Sequence, residues 1–381
     1  MNPVPASTSC VPIARNEHID LFRGIAILTV LVLHFALAFG LKNSPLAAVL
    51  PKIVLVALGN SGNYGVTLFF VISGYLITSN SLARWGHLSR MEIGRFYAYR
   101  FARIMPPLLL VLLIIVILGS LDVPFFDNSD GDHALPASYF VIAVGSVLTF
   151  WHNVLMQSQG YFNYCLNIYW SLSVEEVFYL ALPLACVLLR KNLFFILLCL
   201  AAIMYAPFYR AQHADNELFF MYGYAACFDA IALGCLTALI APRFSLPFHV
   251  ARLLRICALL ACFALYLIGI HGHEAFGFSW MALAAAVYIF AAATPHPGAA
   301  SHATAPLRWF GRYSYELYLF HIVVLALLRN IWTREQVSYA ARLPLMLAFL
   351  ALSAALAWLV ARYVAEPANR WLRQRMLGVA T

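Results

Sequence analysis

Ten stretches of this chain are apolar over roughly the 20 residues that a helix needs to cross the hydrocarbon of a bilayer. They are 21–40, 62–78, 104–120, 169–189, 192–209, 218–240, 256–270, 277–293, 309–328 and 344–361. With 63% hydrophobic and only 10% charged residues, and a mean hydropathy of +0.82, the composition lies well outside that of a soluble domain. The expected fold is therefore an all-α polytopic membrane protein, a bundle of about ten transmembrane helices. A shorter run, Tyr139–Trp151, suits a re-entrant or interfacial segment better than a span.

Charge decides the status of that short run. If it does not cross and the N-terminus lies inside, eighteen of the 24 Lys and Arg face the cytoplasm, and the acidic loop containing Asp122, Asp127, Asp130 and Asp132 faces out. If it does cross, the basic residues divide almost evenly and the bias that orients membrane proteins disappears. The expectation is ten spans, both termini cytoplasmic, and a re-entrant or peripheral segment near 138–167. Residues 1–18 read as a cytoplasmic tail without the charged start of a signal peptide. Residues 19–375 read as a single transmembrane domain, with no fused soluble domain.

The net charge of +8 does not point to nucleic acid, because the basic residues sit between apolar runs instead of forming a stripe with interleaved aromatics. Six of the eight Cys (Cys186, Cys199, Cys227, Cys235, Cys257 and Cys262) lie in apolar runs without paired spacing, as small hydrophobes do. The loop sequence HGHE, 271–274, lacks metal-ligand spacing, so no metal is expected.

Against this background, ionisable residues inside apolar runs stand out. In IDLFRGIAILTVLVLHFALAFG, 19–40, a rotation of about 100° per residue puts Asp20, Arg23 and His34 on one helical face. His34 stands about 16 Å from Arg23 along the axis. A lone buried histidine bonded to a neighbouring carbonyl is the plain alternative. In RFYAYRFARIMPP, 95–107, Arg100 and Arg103 share a face and form a guanidinium pair suited to phosphate oxygens; topology and lipid headgroups would also produce such a cluster. In NIYWSLSVEEVFYLALP, 167–183, the adjacent carboxylates of Glu175 and Glu176 require a partner in the bundle. A Glu–His pair orienting His34 is the expected arrangement.

These stretches, together with LFFVISGYLIT (68–78) and GRYSYELYLFH (311–321), occur in an order that closely resembles the acyltransferase-3 family of membrane O-acyltransferases over nearly the whole chain. The resemblance implies transfer of an acyl group, usually acetyl from acetyl-CoA, to a carbohydrate hydroxyl in a bacterial cytoplasmic (inner) membrane. It implies a catalytic role for His34 and an acyl-CoA role for Arg100 and Arg103. Arg23 matches the arginine of an L-R-G-like motif, although Phe22 replaces the usual Leu. Many relatives add a C-terminal esterase-like domain; this sequence shows none, and the corresponding expectation is that it either acts alone or relies on a separate periplasmic partner.

On that basis Arg23, Arg100 and Arg103 are candidates for holding the acyl-CoA co-substrate, His34 for general base or acyl carrier, and Glu175 or Glu176 for orienting it. Ser73, Asn167, Tyr169, Ser171 and Ser173 are candidates for the oxyanion donor. Asp20 and His321 are candidates for the substrate path, and a satisfied core histidine is an equal reading of His321. Gly24 and Gly74 read as close-packing positions. The glycan acceptor is open between lipopolysaccharide O-antigen, exopolysaccharide, peptidoglycan and a small glycoside. The rival class is a transporter or flippase relaying protons through His34 and the Glu pair; it would call for inverted repeats, which the two halves do not display.

Overall fold

The structure, a computed structural model, describes residues 15–42, 44–130, 134–294 and 301–378. Most of the expected tail and Asp132 of the acidic loop lie outside the described residues. The helices in chain order are α1 (Glu17–Phe39), α2 (Lys52–Asn60), α3 (Asn63–Trp85), α4 (Ile93–Ser120), α5 (Phe140–Leu148), α6 (His152–Gln159), α7 (Trp170–Leu189) and α8 (Asn192–Gln212). There follow α9 (Glu217–Phe220), α10 (Tyr224–Ile240), α11 (Phe248–Ile268), α12 (Gly277–Ala293), α13 (Ala305–Arg312), α14 (Ser314–Ile331), α15 (Arg342–Val360) and α16 (Glu366–Leu377).

Among the described residues, nine helices are long and apolar enough to cross a membrane. The tenth expected run forms α12, whose 17 residues span about 26 Å. It runs from Gly277, beside Tyr64 at the start of α3, to Ala292, whose carbonyl accepts from Asn16 at the N-cap of α1, and it packs between α3, α10 and α11 with most of its surface buried. The segment near 138–167 folds into the short helices α5 and α6 and does not cross. The protein is thus an all-helical, multi-pass membrane protein. Its lipid face shows in exposed side chains such as Leu113, Leu188, Met204 and Leu260.

Two departures from the expected spans bear on the site. The run 309–328 is broken at Tyr313, so that α13 ends and α14 begins just beside the α1 arginine. The last span continues through a single π-helical turn, Ala361–Ala365, into α16. Such turns widen a helix locally and displace the side chains around them.

Two crossings in the bundle depend on missing side chains. Gly24 and Gly311 place α1 and α13 so close that a Cβ on either would enter the backbone carbonyl of Leu307 or Asp20. Gly74 and Gly234 do the same for α3 and α10 at the carbonyls of Ile231 and Val71. The close-packing role expected of Gly24 and Gly74 is therefore what the structure shows. We predict that Gly234→Val lowers thermal stability by about 3 kcal/mol or abolishes accumulation of the protein. Gly145→Ala, in open space, leaves the unfolding midpoint in detergent unchanged.

A second device locks the far side of the bundle. Arg210, fully buried on α8, forms a bidentate pair with Asp229 on α10 at 2.8 and 3.3 Å, and donates to the Ala275 carbonyl and the Ser279 hydroxyl near α12. Its burial reflects a counter-charge on a neighbouring helix that sequence separation hides. Arg210→Met, which strands the Asp229 carboxylate, is expected to cost about 3–5 kcal/mol, while Arg210→Met/Asp229→Leu recovers most of that loss in the same melting assay.

Candidate functional site

The site is built from the start of α1. Asn16 caps the helix by accepting from the amides of His18 and Ile19, and its side-chain amide donates to the Ala292 carbonyl at 2.7 Å, fixing α1 against α12. One turn on, Asp20 pairs with Arg15. Arg23 donates from Nε and Nη2 to the Ser314 hydroxyl at 3.1 and 2.9 Å. The break at Tyr313 makes Ser314 the first residue of α14 and brings that hydroxyl to Arg23.

Arg103 approaches the same point from α4, with Nη2 at 4.0 Å from Glu316 on α14. Arg100, one turn earlier, lays its guanidinium over the Tyr179 ring at 3.9 Å. Its Nε is buried and has no hydrogen-bond partner. The adjacent Pro106 and Pro107 lack the N–H groups that would bond the carbonyls of Ala102 and Arg103, and close by Tyr315 donates to the Ile104 carbonyl at 2.9 Å.

These groups line a cavity of about 780 Å³ between α1, α3, α4, α7 and α14. Its walls include Asp20, Arg23, Arg100 and Arg103, and also Ser73, Ser171, Glu175, Glu176, Glu316 and Tyr318. Glu175 interacts with Arg100 and with the hydroxyls of Ser73 and Tyr179, which also bond to each other. Glu176 is buried, with Oε1 unpartnered, and Glu316 likewise leaves Oε2 unpartnered. The lining thus holds five arginines, Arg15, Arg23, Arg100, Arg103 and Arg312, and two carboxylates that each keep one buried oxygen without a hydrogen-bond partner. Buried polar atoms without partners inside a cavity are the mark of a polar ligand.

The cavity ends at a hydroxyl pair. Tyr318 and Ser171 bond at 2.6 Å, and Tyr318 also donates to the Ile168 carbonyl at 2.8 Å. Beyond this pair, three residues along α14, His321 is fully buried, and its Nε2 lies 3.0 Å from Nδ1 of His34. The His34 partner is therefore His321, and the expected Glu–His pair does not form.

Helix direction explains the correction. α7 and α14 run antiparallel and are level where Ser171 meets Tyr318. Each residue after Ser171 moves about 1.5 Å toward the arginines, so the carboxylates lie roughly 6–8 Å from that level, while His321 lies roughly 4–5 Å on the other side of it. The carboxylates meet Arg100; the imidazole meets another imidazole.

The remaining expected donors are engaged elsewhere. Asn167 donates to Asp130 at 2.7 Å and ties the α4–α5 loop to α7; burial pushes the Asp130 carboxyl up, against the opposing pull of Arg329 and of this bond. Tyr169 donates to the Leu319 carbonyl at 3.0 Å, and Ser173 accepts from the His152 amide at 3.1 Å. None of the three lines the cavity. Of the oxyanion candidates, Ser73 and Ser171 do. Tyr179, Tyr315 and Tyr318 were not singled out as candidates; in SYELYLFH the three-residue spacing of Tyr315, Tyr318 and His321 marks a single helical face.

Residues 16–362 match the model of the acyltransferase-3 family, described as an acyltransferase domain. The chain belongs to that family. Among curated relatives, it is 28% identical over 317 residues to the peptidoglycan O-acetyltransferase OatA of Listeria monocytogenes, an alignment covering 76% of this chain and 49% of that protein. It is 24% identical over 304 residues to the O-acetyltransferase OatA of Staphylococcus aureus, covering 73% and 48%. It is 28% identical over 302 residues to the putative peptidoglycan O-acetyltransferase YrhL of Bacillus subtilis, covering 70% and 45%. The chain thus spans about half the length of the relatives it matches. No solved structure matches.

The acyltransferase domain accordingly contains a charged chamber and a histidine pair separated by one hydroxyl bridge. Tyr318→Phe removes the phenol that joins Ser171 to the Ile168 carbonyl, and the expected cost is about 1 kcal/mol in unfolding free energy, read as a small drop in melting midpoint with the helical content intact.

Proposed function

We propose that this protein is a membrane O-acetyltransferase that moves an acetyl group from acetyl-CoA to a glycan hydroxyl, with peptidoglycan the first acceptor to test because relatives carry that name. The observation that carries the proposal is the arrangement of Arg23, Arg100 and Arg103 around a cavity whose lining reaches Tyr318, one helical turn along α14 from His321, the partner of His34. Coenzyme A carries phosphates at one end and a thioester at the other. A chamber with guanidinium groups at its base and an imidazole beyond its tip suits such an elongated donor.

In this reading the arginine end faces the cytoplasm of a bacterial inner membrane, the orientation favoured by the distribution of Lys and Arg. Arg100 and Arg103, with Arg23, bind the phosphates. Glu175 holds Arg100 together with Ser73 and Tyr179. His34 takes the proton from the acceptor hydroxyl as that oxygen bonds to the thioester carbonyl carbon. The carbon–sulfur bond then breaks, and the departing thiolate takes the proton back from His34. The Ser171 hydroxyl, turning its proton from Tyr318 toward the thioester carbonyl oxygen, is the donor for the negative charge that develops there, while Tyr318 keeps its bond to the Ile168 carbonyl.

The test uses membranes containing the protein, radiolabelled acetyl-CoA and purified peptidoglycan, with acetyl-CoA binding measured on the purified protein. Arg100→Ala/Arg103→Ala is expected to weaken donor binding by about 100-fold or more, as the loss of charge-assisted bonds requires. His34→Ala is expected to bind the donor normally and to lose about 100-fold or more in transfer. Equal binding and transfer by all three proteins would refute the assignment.

A further inference from the structure

The histidine pair carries information about proton positions that follows from its surroundings. Nδ1 of His321 lies 3.0 Å from the Leu317 carbonyl oxygen and 2.8 Å from that of Tyr318. Both atoms are acceptors, so Nδ1 must carry a proton. His321 is fully buried, and among the described residues no carboxylate figures in its environment. A second proton would make an uncompensated imidazolium in a low-dielectric interior, a state that burial disfavours strongly. Nε2 of His321 is therefore a lone pair.

The next atom is fixed by the same reasoning. Nε2 of His321 faces Nδ1 of His34 at 3.0 Å, with ring centroids 5.0 Å apart. Two lone pairs at that distance repel, so the proton between them belongs to Nδ1 of His34, whose ring also bonds the Val30 carbonyl of its own helix. The other nitrogen of His34, Nε2, is then left unprotonated, on a side chain that retains partial exposure.

We propose that His321 is a positioning residue: two backbone carbonyls of α14 set its tautomer, and through it they hold His34 as the Nδ1–H form with Nε2 presented as the proton acceptor. The chain of donors runs from His34 Nδ1–H to His321 Nε2, and from His321 Nδ1–H to the α14 backbone. It does for His34 what a carboxylate does in many histidine-dependent acyl transfers, without placing a charge in the membrane interior. The catalytic use of that lone pair rests on the function proposed above; the tautomer itself does not.

The experiment separates the two. Full-length protein labelled with 15N-histidine is studied by NMR in detergent micelles, with the His34 signals assigned by their loss in His34→Gln. Wild type is expected to show His34 with Nδ1 protonated and Nε2 bare. His321→Leu removes the acceptor and shifts His34 to a mixture of tautomers, whereas His321→Gln, whose side-chain oxygen can accept, keeps the Nδ1–H form. In acetyl transfer from labelled acetyl-CoA, His321→Leu is expected to lower turnover by about 100- to 1,000-fold with the donor KM unchanged. His321→Gln should stay within about tenfold of wild type. A wild-type His34 protonated on Nε2, or a His321→Leu protein with unaltered His34 tautomer, overturns the proposal. If the tautomers behave as described but wild type transfers no acetyl group, the proposed function fails and the positioning role stands.

Discussion

A charged or polar side chain in a hydrocarbon-bounded interior must find its partner on another helix, because water is not there to serve. That requirement organises this molecule. Arg23 reaches Ser314, Arg103 approaches Glu316, Arg100 lies on Tyr179, and Arg210 closes on Asp229. Each contact joins helices distant in sequence, and the first three pull α1, α4, α7 and α14 around one chamber. Three of the buried polar atoms that lack a partner, Arg100 Nε, Glu176 Oε1 and Glu316 Oε2, belong to residues lining that chamber.

The chamber and the histidine pair divide the labour of the site. Ionic groups are confined to the arginine end, and the reacting end is built from hydroxyls and neutral imidazoles. This separation lets the molecule recognise a multiply charged donor without burying ions next to the atom that must accept a proton. The glycine crossings belong to the same design. Gly24 and Gly311 bring α13 onto α1, which sets the start of α14 and hence the position of Ser314 and, two turns further, of His321.

Much of this was readable before any coordinates. Apolar run length identified the spans, and the charge distribution identified 138–167 as non-crossing, because both signals are local and strong. The shared face of Asp20, Arg23 and His34 followed from helical periodicity alone. What the sequence withheld was relative depth between helices. Glu175 and Glu176 looked level with His34 because both lie in the same half of a span, yet the register at Ser171 and Tyr318 puts them on opposite sides of the hydroxyl bridge. The buried Arg210–Asp229 pair was hidden for the same reason, since nothing in one chain segment reveals a counter-charge 19 residues on. Ionisable residues in apolar runs pointed to His34 and the arginines and family resemblance gave them roles; the cavity tyrosines and His321 as the partner of His34 emerge only from packing.

The central claim is that one chamber takes the phosphates at Arg100 and Arg103 and delivers the thioester toward His34. A cryo-electron microscopy structure with a non-transferable acetyl-CoA analogue tests it most directly. The account requires phosphate density against the two arginines and the sulfur near the Ser171–Tyr318 pair. Phosphates at the opposite end of the bundle, or an analogue bound outside the chamber, would contradict it.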